Sequence, residues 1–109
     1  MSFALIDVDG LEELNATRGR SFGDRLLFGT AARLNAGVRE TDLLVRFGED
    51  EFAVLFPMTD LSGAEECLLR LKASLVDDPL FIGGNAAPVS LSIDLSAWQE
   101  SDEEPIDVL

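Results

Sequence analysis

Acidic residues that could bind a metal ion or a phosphate group occur at two places in the chain. Asp7 and Asp9 end the apolar run FALIDVD. Glu49, Asp50 and Glu51 stand together between two further apolar runs, DLLVR and FAVLFP. If the first run is a strand and the other two form a hairpin, the strand end and the hairpin tip can be neighbours in one sheet. Carboxylates that close repel each other unless a hard cation bridges them, and such a cation would also neutralise phosphate charge.

The composition excludes several kinds of site and partner. The chain has 109 residues, no histidine and the single cysteine Cys67, so we expect one domain without a Cys/His zinc site or an internal disulfide. A metal ion would therefore have oxygen ligands, as Mg²⁺ and Ca²⁺ do. The net charge of −13 predicts no nucleic-acid partner and no contact with an anionic membrane. Without a long apolar run or a secretory-signal pattern, a cytoplasmic location is expected.

The spacing of apolar residues predicts strands and helices in the order β-α-α-β-β-α-β-β. The expected strands cover 3–9, 42–47, 51–56, 80–82 and 88–98, and the expected helices cover 21–38 and 62–76, with a shorter helix before Gly19. A capping box of Ser21 and Asp24 is expected to open the helix over 21–38. A two-residue type II′ turn at Gly48-Glu49 is expected to join the paired strands. This order predicts an α+β fold, in which helices pack on a mostly antiparallel sheet.

Four spaced motifs resemble those of the GGDEF domains, the diguanylate cyclases of bacteria. FALIDVDGLEELN resembles the pattern D-x-D-x-F-K-x-x-N-D at a strand end, TRGRSFGD the step G-H-x-x-G-D, RETD the pair R-x-x-D, and GEDEF the signature hairpin G-G-[DE]-E-F. The resemblance covers residues 3 to 96. It implies a ferredoxin-like palm of the nucleotide-cyclase type, in which two protomers of a homodimer condense two GTP molecules into cyclic di-GMP. On this basis 1–98 is the GGDEF-like domain, without the family's usual terminal segments, and 99–109 is an acidic tail.

The resemblance also implies a metal site and a catalytic site. Asp7 and the carbonyl of Val8 would be metal ligands at the end of the first strand, and Asp50 would be the second metal carboxylate. The metal would be Mg²⁺. Asp50 and Glu51, the third and fourth signature residues, would be the catalytic positions. The alternative is that these acids are remnants of such a site on a solvated rim of the domain.

For the nucleotide, the resemblance implies that Asn15 and Asp24 read the guanine base. Gly48 and Glu49 would lie beside the phosphates. The alternative for Asp24 is a purely structural role in the first helical turn, where a carboxylate complements the helix dipole.

A second binding site is implied by Arg39 and Asp42, which match the R-x-x-D inhibitory site for cyclic di-GMP. An arginine fork suits phosphate oxygens and guanine edges. The alternative is an ordinary ion pair between residues three apart at a helix end.

The chain departs from the family pattern at positions that face the nucleotide. Glu49 replaces the second glycine of the signature, which adds a negative charge where phosphates should lie, and Glu12 replaces a lysine. Arg20 stands in the histidine position and could restore one positive charge. No basic residue follows Lys72, whereas the family has a basic segment near its C-terminus.

These departures favour a degenerate GGDEF domain that acts in cyclic di-GMP signalling as a regulatory or receptor module, without strong cyclase activity. Two alternatives stay open. The domain could be an active diguanylate cyclase that condenses GTP, or a dimerisation or interaction module that binds no nucleotide. The expected partners are GTP or cyclic di-GMP, a second copy of the domain, and other domains of a longer signalling chain.

Overall fold

A computed structural model describes residues 1–46 and 48–97 of the chain. The elements are β1 (Ser2–Val8), α1 (Leu11–Arg18), α2 (Arg20–Gly37), β2 (Leu43–Arg46), β3 (Glu51–Phe56), α3 (Leu61–Asp77), β4 (Leu80–Ile82), β5 (Asn85–Ala87) and β6 (Leu91–Ala97). The predicted order is therefore confirmed as far as β4. The predicted acidic tail over 99–109, and the predicted strand ends at 47 and 98, lie outside the described residues.

The last part of the chain differs from the prediction, because three strands follow α3 and not two. β4 and β5 form a separate antiparallel hairpin, and β6 starts only at Leu91. Gly83 and Gly84 turn this hairpin with φ of 62° and 83°, a backbone region that glycine adopts without a steric penalty. Pro88 follows β5 and cannot donate a ladder hydrogen bond, which separates β5 from β6.

The main sheet has four antiparallel strands in the order β2-β3-β1-β6. Side chains alternate along the central strand β1: Ala4, Ile6 and Val8 are buried, whereas Leu5 is half-buried and Asp7 is exposed. The buried side chains of β1 and β3 form a single core with those of α2 and α3. The architecture is the predicted α+β arrangement, and the alternation sets Asp7 on the face of the sheet opposite the core.

The junction between α1 and α2 contradicts the predicted capping box. Gly19, at φ 90°, ends α1 by donating its N–H to the carbonyl of Asn15, and α2 begins directly afterwards at Arg20 without any side-chain cap. No acidic residue lies in the first turn of α2, so Asp24 does not have the predicted role beside the helix dipole. A glycine break one residue long therefore joins the two helices where a polar cap was expected.

The connection between β2 and β3 also differs from the prediction. Arg46 pairs with Phe52, whereas a two-residue turn at Gly48-Glu49 requires a register shifted by one residue. The wider loop is closed by the side chain of Arg46, whose Nε donates to the carbonyl of Gly48 at 3.1 Å and whose terminal nitrogen donates to that of Glu49 at 2.8 Å. The type II′ turn was wrong because an arginine side chain, and not a tight backbone turn, satisfies the loop carbonyls.

Candidate functional site

The end of β1 and the start of β3 bring the predicted catalytic acids to one edge of the sheet. Asp7 pairs in register with Glu51, and both line a cavity of about 290 Å³ on the open face. Its remaining lining residues come from β1 and β6: Leu5, Ser92, Ile93 and Asp94. The backbone N–H of Val8 donates to the carbonyl of Asp50 at 2.9 Å, which ties the hairpin loop to the end of β1.

Asp50 lines a different and larger cleft. This cleft has a volume of about 500 Å³ and lies between α1 and the β2–β3 loop. It is lined by Gly10, Leu11, Glu12, Glu13, Ala16 and Asp50. We call it the α1 cleft. Three of its lining residues are acidic and none is basic, so an anionic ligand placed there would meet uncompensated negative charge.

The structure thus places the two predicted metal carboxylates, Asp7 and Asp50, in adjoining cavities and not in a shared one. Within residues 1–46 and 48–97, no group of three or more His, Cys, Asp or Glu side chains is arranged to hold a metal ion. Mg²⁺ is usually bound by one or two carboxylates together with the phosphates of a substrate, and not by a cage made of protein alone. The oxygen donors at this edge therefore fit an Mg²⁺ ion that arrives with a nucleotide.

Asp9 has a structural role that the sequence interpretation did not assign. The Ser92 hydroxyl donates to Oδ1 of Asp9 at 2.6 Å, the Ser90 hydroxyl donates to Oδ2 at 2.9 Å, and the Asp9 N–H donates to the carbonyl of Ser90 at 2.9 Å. These hydroxyls, Ser92 first and then Ser90, lower the pKa of Asp9 below its ordinary value. The second acid of the D-x-D pattern therefore holds the end of β1 against β6, beside Asp7. The serines spaced two apart at the start of β6, Ser90 just before the strand and Ser92 within it, were the signal that could have indicated it.

Asn15 is placed by a close approach of α1 to α2. A Cβ atom on Gly23 would lie 1.7 Å from Oδ1 of Asn15, so only glycine leaves room for this amide. That Oδ1 is buried, and none of the described residues donates a hydrogen bond to it. A buried polar atom without a partner is uncommon in folded proteins and points to a partner that the described residues do not supply. Gly23 is thus a site residue that the sequence interpretation missed.

Asp24, the other predicted guanine reader, is exposed and lies apart from the α1 cleft. It lines a cavity of about 490 Å³ between α2 and the β4–β5 hairpin, together with the exposed rings of Phe28 and Phe81. Asn15 does not line that cavity.

The two signature residues Gly48 and Glu49 lie in the β2–β3 loop. Gly48 packs closely against Glu51, since a Cβ atom on it would lie 3.2 Å from the Cβ of that residue. The carboxylate of Glu49 forms an ion pair with the terminal nitrogen of Arg20 at 3.3 Å. The arginine that replaces the family histidine therefore contacts the glutamate that replaces the family glycine.

Arg39 and Asp42 form a local turn and not the ion pair considered from the sequence. The backbone N–H of Arg39 donates to Oδ2 of Asp42 at 2.8 Å, and the N–H of Asp42 donates to the carbonyl of Arg39 at 2.9 Å. Neither of the ion pairs Arg20–Glu49 and Arg33–Asp78 involves Arg39, so its exposed guanidinium has no carboxylate partner within 4.0 Å among residues 1–46 and 48–97. Oδ1 of Asp42 is buried, again without a partner among the described residues.

In the described part of the chain, no helix combines the length and the apolar character needed to cross a membrane.

Comparison with known proteins identifies the family. The model of the diguanylate cyclase GGDEF domain matches residues 1–109. Diguanylate cyclase DgcP of Pseudomonas aeruginosa is 30% identical over 99 residues, which is 91% of this chain and 15% of that protein. Response regulator PleD of Caulobacter vibrioides is 34% identical over 107 residues, which is 96% of this chain and 24% of that protein. The chain spans less than a quarter of the length of these two curated relatives.

Solved structures share the fold. The GGDEF domain of FimX from Pseudomonas aeruginosa superposes with a TM-score of 0.89 at 30% identity, over 98% of this chain and 66% of that one. The GGDEF domain of TpbB from the same organism gives a TM-score of 0.79 at 33% identity, over 86% of this chain and 59% of that one. These likenesses confirm the predicted cyclase palm. With a family match over its full length and the palm of its neighbours, the chain belongs to the diguanylate cyclase GGDEF domain family.

Proposed function

We propose that this domain acts in bacterial cyclic di-GMP signalling as a regulatory or receptor module with weak cyclase activity. The observation that carries the proposal is the charge of the α1 cleft, which is lined by Glu12, Glu13 and Asp50 and by no basic residue. At about 5 Å and an effective dielectric near 20, each like charge costs on the order of 3 kcal/mol against each phosphate charge before counterions act. A triphosphate is therefore held weakly and turned over slowly.

The residues that would serve a bound nucleotide are present all the same. Asp7, the Val8 carbonyl and Asp50 would hold Mg²⁺, which when bound supplies positive charge to the phosphates. The amide of Asn15 would hydrogen-bond the guanine base, and Gly48 leaves the loop backbone open to the phosphates. We propose Glu51, half-buried beside Asp7, as the remaining acid of the catalytic edge.

The receptor role is supported by the second site. Arg39 presents an exposed guanidinium that no described carboxylate neutralises, and Asp42 is held beside it by its hydrogen bond to the Arg39 backbone. A planar guanidinium binds phosphate oxygens in pairs and stacks on bases, whereas a fixed carboxylate accepts base N–H groups. Cyclic di-GMP offers both kinds of group, so this pair suits the dinucleotide.

Calorimetric titration with cyclic di-GMP tests the receptor role. We expect heat of binding with the wild type and at least a tenfold weaker affinity for Arg39→Ala, since the guanidinium carries the phosphate contact. Arg25→Ala is the matched control, because it removes an exposed arginine from the N-terminal half of α2, whereas Arg39 follows the C-terminal end of that helix. The absence of any binding by the wild type would refute the receptor role.

A second candidate is an active diguanylate cyclase. It is favoured by the contact of Arg20 with Glu49, which offsets one of the added negative charges. Incubation with GTP and Mg²⁺, followed by chromatographic detection of cyclic di-GMP, separates the two functions. Rapid product formation that is abolished by Asp50→Asn would favour the cyclase over the receptor module.

A homodimer is proposed from the exposed aromatic residues. Phe28 is 80% exposed on α2 and Phe81 is 65% exposed on the β4–β5 hairpin, and both line the same cavity. Sedimentation analysis should show a self-association that Phe28→Ser weakens and that Val76→Ser, a similarly exposed apolar position on α3, leaves intact. Self-association without any nucleotide binding would instead indicate the pure interaction module.

A further inference from the structure

We infer that Arg20 is a positioning residue that holds the carboxylate of Glu49 outside the α1 cleft, so that Glu49 is compatible with nucleotide phosphates. The inference rests on the proposed function, since it concerns how the same cleft treats a phosphate ligand. Arg20 and Glu49 both depart from the family pattern, and the ion pair between them gives the two departures a single explanation.

The first observation is the contact itself. The terminal nitrogen of Arg20 lies 3.3 Å from Oε1 of Glu49, and the two residues stand 29 positions apart in the chain. Arg20 is the first residue of α2, and Glu49 lies in the loop between β2 and β3. The ion pair therefore bridges the α1–α2 junction and the signature loop.

The second observation is that the backbone around Glu49 is held by other contacts. Arg46 donates to the carbonyls of Gly48 and Glu49 at 3.1 and 2.8 Å, and Val8 donates to the carbonyl of Asp50 at 2.9 Å. Three successive loop carbonyls are thus bound. With the backbone fixed, the direction of the Glu49 charge depends on its side chain, which Arg20 contacts.

The third observation is that Glu49 does not line the α1 cleft, although its neighbour Asp50 does. The carboxylate that the sequence places against the phosphates is instead directed toward Arg20. Both side chains are mostly exposed, at 76% and 84%, so the ion pair is weak in water and sensitive to salt. The ion pair therefore directs the Glu49 side chain and offsets its negative charge, and it contributes little to the stability of the fold.

The test is a double-mutant cycle on nucleotide affinity. Wild type, Arg20→Gln, Glu49→Gln and the double variant are titrated with GTP and Mg²⁺, and binding is followed by NMR chemical shifts, which detect even millimolar affinities. We expect Arg20→Gln to weaken GTP binding about tenfold when Glu49 is present, the effect of one charge near phosphates that solvent and counterions partly screen. In the Glu49→Gln background the same change should weaken binding less than about threefold.

Two further measurements separate charge positioning from a structural defect. The loss caused by Arg20→Gln should decrease from GTP to GDP and vanish with guanosine, because it depends on phosphate charge; a misfolded cleft would lose all three ligands equally. Arg18→Gln, which removes a nearby arginine that stacks on Phe22, is the matched control and should show no coupling to Glu49.

Several outcomes would overturn the inference. Equal losses from Arg20→Gln in both backgrounds would mean that Arg20 contacts the ligand directly. Tenfold tighter GTP binding by Glu49→Gln than by the wild type would mean that Arg20 does not keep the Glu49 carboxylate away from the phosphates.

If neither wild type nor Glu49→Gln binds GTP while cyclic di-GMP still binds, the inference fails and the proposed receptor role stands. If cyclic di-GMP binding is absent as well, the proposed function fails.

Discussion

Replacement of Gly23 by alanine should separate recognition of the guanine base from stability of the fold. A Cβ atom at this position would lie 1.7 Å from Oδ1 of Asn15, whereas ordinary contact begins at 3.4 Å. The fixed α2 backbone cannot give way, so the Asn15 amide must move by about 1.7 Å. A displacement of that size breaks the geometry of any hydrogen bond that the amide makes to a base.

The expected magnitude follows from the hydrogen bonds lost. A side-chain amide can make two bonds to a guanine edge, each contributing roughly 0.5–1.5 kcal/mol in net terms, so GTP affinity should fall about 5- to 150-fold. Stability should change far less. Alanine is favoured over glycine by about 1 kcal/mol in a helix interior, which offsets the cost of turning the flexible Asn15 side chain.

The assay compares GTP with ITP, which lacks the exocyclic amino group of guanine, and thermal unfolding is measured in parallel. Gly23→Ala should lose the preference for GTP over ITP with little change in Tm. Gly29→Ala is the matched control on the same helix, because its Cβ would approach only the side chain of Leu80, at 3.0 Å. An unchanged GTP preference in Gly23→Ala would refute the proposal that the Asn15 amide reads the base.

Three further predictions concern stability. The pKa of Asp9 is lowered in the folded state, so its carboxylate stabilises the fold at pH values above the ordinary aspartate pKa. This stabilisation is lost as pH falls through the folded-state pKa. The difference in unfolding free energy between wild type and Asp9→Asn, measured by urea titration, should therefore shrink below about pH 4. A difference independent of pH would contradict this. Asp60 caps α3 by accepting the N–H of Gly63 at 2.9 Å. Asp60→Ala should lower the unfolding free energy by about 1 kcal/mol in the same assay, whereas Asp60→Asn should keep most of the wild-type stability. Phe52, the last signature residue, is 1% exposed, so Phe52→Ala should lower the unfolding free energy by roughly 3–5 kcal/mol. A loss of less than about 1 kcal/mol would show that Phe52 does not stabilise the core.

Much of the fold could be predicted because the apolar pattern reports which face of an element is buried. The apolar run FALIDVD predicted a strand over 3–9, and the strand is confirmed as β1 over Ser2–Val8, with Ile6 in the core and Asp7 on the opposite face. The helix predicted over 62–76 is confirmed as α3, Leu61–Asp77. The last strands were predicted less well, since the short run at 85–87 carries too few residues to show a period of two.

The site depends on distances that no local pattern encodes. The residue types and their pattern indicate that Asp7 lies near a strand end and that Glu49, Asp50 and Glu51 occupy a hairpin. The folded chain is needed to show that Asp7 faces Glu51 while Asp50 lines another cleft, that Asp9 binds serines more than 80 residues away, and that Gly23 makes room for Asn15. The periodicity of the sequence indicates on which face of its helix or strand each side chain lies. Which side chains then contact each other depends on the register and packing of elements that are far apart in the chain.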